Sequence, residues 1–207
     1  MPPILWCRRK LKRLLCIWDC MKTIGLIGGM SWESTQTYYR LINQKVREQL
    51  GGLHSARIIL YSVDFAEIET LQHKGDWEGT AKILVSAAQS VQAGGADFLL
   101  ICTNTMHKVA PQIEQTCATP LLHIADATAN ALIKDGITSV GLLGTRFTME
   151  QTFYRERLEE QGVNVIIPDD SERDAVHRII YEELCQGIIN PDSKTAYLEV
   201  VNSLATR

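Results

Sequence analysis

The sequence predicts an α/β protein made of two similar doubly wound parallel-sheet halves, the second of them incomplete. Three observations carry that expectation. From Met21 onward, short apolar strand patterns alternate with longer patterns of helical period, the grammar of parallel strands joined by crossover helices. The pattern then restarts: "TIGLIGG" from Thr23 returns as "SVGLLGT" from Ser139, and "QTYYR" from Gln36 returns as "QTFYR" from Gln151. The strand offset is 116 and the helix offset 115, with seven identities in the same order, which favours a duplicated half over two unrelated units. Third, the second-half counterpart of the strand beginning at Phe98 would begin at position 214, past Arg207.

The elements follow in order. "TIGLIG" is a buried-strand pattern. Residues 32–50 form a helix with Tyr38, Leu41, Ile42, Val46 and Leu50 on one face, stopped by Gly51 and Gly52. "ARIILYSV" (56–63) is the second strand, and Asp64 with Glu67 starts a short helix. Asp76 opens a longer helix that ends at Gly94 and Gly95, and residues 98–102 make the third strand. Residues 106–117 are expected to be helical, "PLLHI" (120–124) to be a fourth strand, and 126–135 to be helical. After the repeated βα unit come a strand in "VNVIIP" (163–168), a helix over 171–186 and a last helix opened by Asn190 and Pro191. The domains expected are a basic extension (1–20), a first half (21–125) and a second half (126–207).

Bulk properties remove several classes of function. The chain has 207 residues, 45% apolar and 22% charged, with a net charge of −3, so it reads as globular with no reason to expect nucleic acid. No apolar run is long enough to span a bilayer. Residues 1–20 carry five basic residues against one acid and lack the layout of a signal peptide. They read as an upstream extension, or as a basic amphipathic helix touching a membrane or partner; starting at Met21 is expected to leave solubility and melting temperature unchanged. Six cysteines sound like a disulfide set, but none pairs as C-x-x-C and no Cys/His spacing suits a metal. Reduced thiols in a cytoplasmic protein are expected. "GLIGGM" is not G-x-G-x-x-G, which argues against a dinucleotide.

In a doubly wound sheet, ligands bind at the carboxyl ends of the strands. Here those ends hold Gly29, Met30 and Ser31, then Ser62, then Cys102, Thr103, Asn104 and Thr105, and in the second half Thr145 and Thr148. They are short of charge and rich in hydroxyls and glycine, which suits a carboxylate or phosphate. Cys102 could be a nucleophile or general base, or a small apolar filler beneath the sheet. His107 lies a turn into the next helix, so its ring is expected to point away from the strand tip.

"TIGLIGGMSWEST..YY", "CTNTMH" and "GLLGTRFTM" together resemble the cofactor-independent aspartate/glutamate racemases, over residues 21–207. The resemblance implies two similar α/β domains facing each other across a cleft. An acidic amino acid lies between them as substrate, no cofactor is used, and a homodimer is possible. It further implies two opposed thiols, one per domain, that exchange the α-proton on opposite faces. Two departures stand out. The usual signature is C-N-T-x-H, whereas here the letters are C-T-N-T-M-H. Aligning Asn104, Thr105 and His107 puts Thr103 in the reactive slot and turns Cys102 to the other face of the strand; a local bulge would restore Cys102. The second thiol belongs to the strand expected near 214. Cys185, late in a helix, reads as core-facing, so this chain is expected to carry the first half-site only and to be inactive by itself. Gly29, Met30, Ser31, Ser62, Asn104, Thr105, Thr145 and Thr148 read as substrate contacts, or as residues that serve the loops and helix caps alone. Asp174, read as N3 of its helix, stands where aspartate-specific relatives tend to have Lys, which argues against strict aspartate specificity. Alternatives are a hydantoin racemase, a maleate isomerase, or a non-catalytic carboxylate-binding fragment.

Overall fold

The computed structural model describes residues 21–207; the extension 1–20 lies outside the described residues. Strand β1 (Thr23–Gly28) leads into helix α1 (Trp32–Leu50), which Gly51 ends, followed by β2 (Arg57–Ser62). Two helices follow, α2 (Phe65–His73) and α3 (Trp77–Ala93), each opened as the sequence predicts: Asp64 accepts from the N–H of Ala66, and Asp76 from that of Gly79. Then come β3 (Phe98–Ile101), a 3₁₀ turn (Thr105–Val109), α4 (Ala110–Thr116) and α5 (Ile124–Lys134). The second half runs β4 (Ser139–Gly141), α6 (Arg146–Glu150), α7 (Thr152–Glu159), β5 (Asn164–Ile166), α8 (Asp170–Glu182) and α9 (Pro191–Ala205).

Both sheets are parallel. The first has the order β2-β1-β3, and the second, among the described residues, pairs β4 with β5. The repeat seen in the sequence is therefore a repeat of topology: β4 stands to β5 as β1 stands to β2. Each half has its own core. The first is built on Ile27, Ile68, Leu84, Leu99, Ile101 and Ile113. The second is split over the two faces of its sheet, with Leu142, Tyr154, Leu158 and Val163 on one side and Met149, Val176, Val200 and Leu204 on the other. Ala125 and Ala129 of α5 belong to the second core.

Several local expectations change. "PLLHI" is not a strand but a single parallel bridge between Leu99 and Leu121: Pro120 has no N–H to continue a ladder, and the His123 side chain already accepts from Ala125 N–H as the N-cap of α5. The helix expected over 106–117 divides into a 3₁₀ turn and α4, because Pro111 near the start of α4 cannot donate to the preceding turn. The copy of α1 in the second half is interrupted at Gln151, whose backbone is extended. Helix α8 is opened by Asp169 in a capping box with Glu172, so Glu172, not Asp174, is the N3 residue. It ends at Glu182, and Cys185 falls in a separate 3₁₀ turn (Leu184–Gln186) closed by Gly187 in the left-handed region.

Candidate active site

The strand tips of both halves converge on one cavity of about 650 Å³. The β1–α1 loop and the first turn of α1 contribute Met30, Ser31 and Ser34; the segment after β3 contributes residues 102–106; the β4–α6 loop and α6 contribute Gly144, Thr145 and Thr148; and the end of α8 with the 3₁₀ turn after it closes the cavity with Tyr181, Leu184 and Cys185. The structure thus gathers eight residues singled out in the sequence: Met30, Ser31, Cys102, Thr103, Asn104, Thr105, Thr145 and Thr148. Gly29 and Ser62 do not line the cavity.

The two halves meet through hydroxyls. Thr105 Oγ1 lies 2.8 Å from Thr145 Oγ1 and 3.1 Å from Thr148 Oγ1. Thr145 also caps α6, accepting from Thr148 N–H. Thr105 and Thr148 are buried and Thr145 half-buried. Three hydroxyls that satisfy one another can each turn a proton outward to an anion without leaving a donor stranded.

The segment after β3 is held from several sides. Cys102 N–H donates to Ile27 O, which extends the β1–β3 ladder one residue beyond Ile101. Cys102 O accepts from Ser34 Oγ at 2.7 Å. The Cys102 side chain is 0% exposed, and burial pushes its thiol up to about 12, far from the thiolate a base would need. Thr103 and Asn104 are half-buried at the cavity wall.

His107 fixes the carbonyl of Thr103. Its Nε2 accepts from Ile124 N–H (3.3 Å), so the proton sits on Nδ1, which donates to Thr103 O (2.8 Å). The ring is buried and meets His123 edge-on, with centroids 4.4 Å apart. Burial first, then the neighbouring imidazole, pushes His107 down to about 3; burial and then Arg157 push His123 down to about 4. His107 therefore does not act as a charged activator of the tip, but its ring, expected to point away, turns toward the tip and binds the Thr103 carbonyl.

A pH dependence follows. Between the ordinary histidine value and the depressed one, the unfolded chain binds more protons than the folded chain, so stability is complete above about pH 6.5 and falls as pH falls. At pH 4.5 His107 alone is expected to cost about 2–3 kcal/mol. Urea unfolding should show the midpoint dropping between pH 7 and about 5, above the range in which most carboxylates titrate. A midpoint flat over that interval would show that the pair is not held neutral.

Gly29 serves the scaffold. Its φ is +97°, and a Cβ there would stand 2.2 Å from Val63 O and 2.7 Å from Val63 N. The glycine therefore lets the β2 exit, not a ligand, approach the backbone. Its N–H donates to Thr35 Oγ1, whose hydroxyl is 3.1 Å from Ser31 O.

Sequence reasoning missed part of the wall. Cys185 lines the cavity rather than the core, because α8 ends before it. Gln72 and Tyr181 are 109 residues apart, yet the Tyr181 hydroxyl donates to Gln72 Oε1 at 3.5 Å. The one available signal was a glutamine four residues after Ile68, on the face of α2 that turns inward. Asp174 pairs with Arg146 at 3.0 Å, and neither lines the cavity.

Residues 27–207 match the family described as Asp/Glu/hydantoin racemase. The broad specificity amino-acid racemase of Bacillus subtilis is 26% identical over 162 residues, 76% of this chain and 69% of that one. The crystal structure of a candidate Asp/Glu racemase from Yersinia pestis superposes with a TM-score of 0.81 at 62% identity, over 90% of this chain and 81% of that one. An aspartate racemase homologue from Pyrococcus horikoshii OT3 gives 0.73 at 37% identity, over 86% and 78%.

Proposed function

The chain belongs to the Asp/Glu/hydantoin racemase family, and from that premise we propose that it moves the α-proton of an acidic amino acid, aspartate or glutamate, without a cofactor, using Thr103 as the proton-transfer group of its first half. The observation that carries this reading is a contrast of exposure at the tip of β3: both residues line the cavity, but Cys102 is 0% exposed whereas its neighbour Thr103 is half-buried. That agrees with the register in which Asn104, Thr105 and His107 align with the family signature. The substrate's α-carboxylate is received by Thr105, Thr145 and Thr148 with Asn104 and Ser31, all neutral donors around one corner.

A threonine hydroxyl is a far weaker acid than a thiol. It gives a proton readily to a carbanion and takes one from an α-carbon with difficulty, so the two faces are chemically unequal. Because enantiomers have equal free energy, kcat/KM must still match in the two directions, and any inequality in kcat is mirrored in KM. Among the described residues the second half supplies hydroxyls at its tip. The 207-residue polypeptide tested alone is therefore expected to exchange the α-proton from one face rather than to interconvert enantiomers. The three described cysteines are free, in keeping with a cytoplasmic setting, and exposed Leu60 and Tyr61 on the edge strand β2 offer a surface for a second copy.

The test is proton NMR in D₂O with each enantiomer of aspartate or glutamate in turn. Slow loss of the α-proton signal, from one enantiomer only, is expected. Ligand-induced stabilisation with no exchange would mean a carboxylate-binding protein and not an enzyme.

A further inference from the structure

Gln72 is 2% exposed, and its side chain reaches the cavity from α2. Its Oε1 accepts from Tyr181, but its Nε2 is buried with no hydrogen-bond partner. A buried amide donor without an acceptor is costly, and natural structures leave few of them unexplained. The cavity wall also includes the apolar side chains of Phe65, which stacks on Tyr181, and Ile180. Among the described residues, those lining the cavity include one carboxyl, Glu33, and no Lys, Arg or His.

We infer that Gln72, held by Tyr181, is the specificity-determining residue of this site: its Nε2 donates to an oxygen at the end of the substrate's side chain. This rests on the reading above that the cavity takes an α-amino acid. The hydroxyls at the opposite tips hold the α-carboxylate, and the side chain points toward α2 and α8. The Tyr181 hydroxyl lies 3.5 Å from Oε1. It fixes the amide so that the N–H₂ end faces the acceptor. The recognised class is an amino acid with a short oxygen-bearing side chain, read through a neutral donor. A site that reads an oxygen this way discriminates strongly against a side chain lacking one. It discriminates weakly between a carboxylate and its amide, since no ion pair is at stake.

The experiment is titration of the full chain with aspartate, asparagine and 2-aminobutyrate, following Kd by calorimetry. Wild type is expected to bind aspartate and asparagine within about threefold of each other and both about tenfold more tightly than 2-aminobutyrate. Gln72→Leu should bring the first two down to the level of 2-aminobutyrate and leave that ligand unchanged. Should the leucine variant fail to fold, Gln72→Glu keeps the shape. It should weaken aspartate relative to asparagine by more than about tenfold, through like charge. Equal losses for all three ligands in Gln72→Leu, or an aspartate-to-asparagine ratio unmoved in Gln72→Glu, would overturn the assignment while leaving the proposed function intact. Wild-type protein that binds none of the three would overturn both.

Discussion

Thr103→Ala is expected to lower α-proton exchange by roughly 10²–10⁴-fold, the usual loss when one acid–base group is removed, whereas Cys102→Ala leaves the rate within a few-fold. The two residues are adjacent, so the comparison holds the surroundings nearly constant. Both line the cavity, but Thr103 is half-buried whereas Cys102 is 0% exposed, with its N–H on Ile27 O and its carbonyl on Ser34 Oγ. Removing the Cys102 sulfur creates a small void and should cost about 1 kcal/mol of stability. The two variants should therefore separate cleanly. Thr103→Ala loses exchange with little change in melting temperature, and Cys102→Ala shows the reverse. If Cys102→Ala abolished exchange and Thr103→Ala did not, Cys102 would be the base.

Gly29→Ala is expected to destabilise the first half by about 4 kcal/mol or to prevent it folding. A Cβ at this position would overlap the Val63 carbonyl oxygen and nitrogen, which are backbone atoms with no rotamer to give, and φ lies in the region that side chains avoid. The strain would also reach the site, because Gly29 N–H donates to Thr35 Oγ1, and Thr35 and Ser34 in turn hold Ser31 O. Circular dichroism melting of purified protein measures the effect. A shift in melting temperature under about 2 °C, well below what this destabilisation implies, would mean that the β1 and β2 exits can move apart.

Much of this arrangement was legible in the sequence because local chemistry determined it. Asp64 and Asp76 cap the helices they were expected to open, Gly51 ends α1, and the repeat at offset 116 places β4 on β1. The register of "CTNTMH" singled out Thr103 and Cys102 because alternation along a strand is a local rule. What sequence could not supply is long-range. The approach of Tyr181 to Gln72 depends on how the two halves dock. The place of Cys185 depends on where α8 ends, and Asp169 set that frame two residues earlier than expected. Pro120 and Pro111 were visible punctuation: the first reduces a strand to a bridge and the second splits a helix.

The most direct test of the assignment at β3 is peptide-resolved alkylation of the folded chain with iodoacetamide, with and without aspartate. Cys102 is expected to react only as fast as the chain unfolds, since its thiol is buried and pushed up to about 12, and aspartate should protect it no more than it protects the fold as a whole. Rapid modification of Cys102 in the folded state, blocked by aspartate, would show a reactive thiol reached from the cavity and contradict Thr103 as the proton-transfer group.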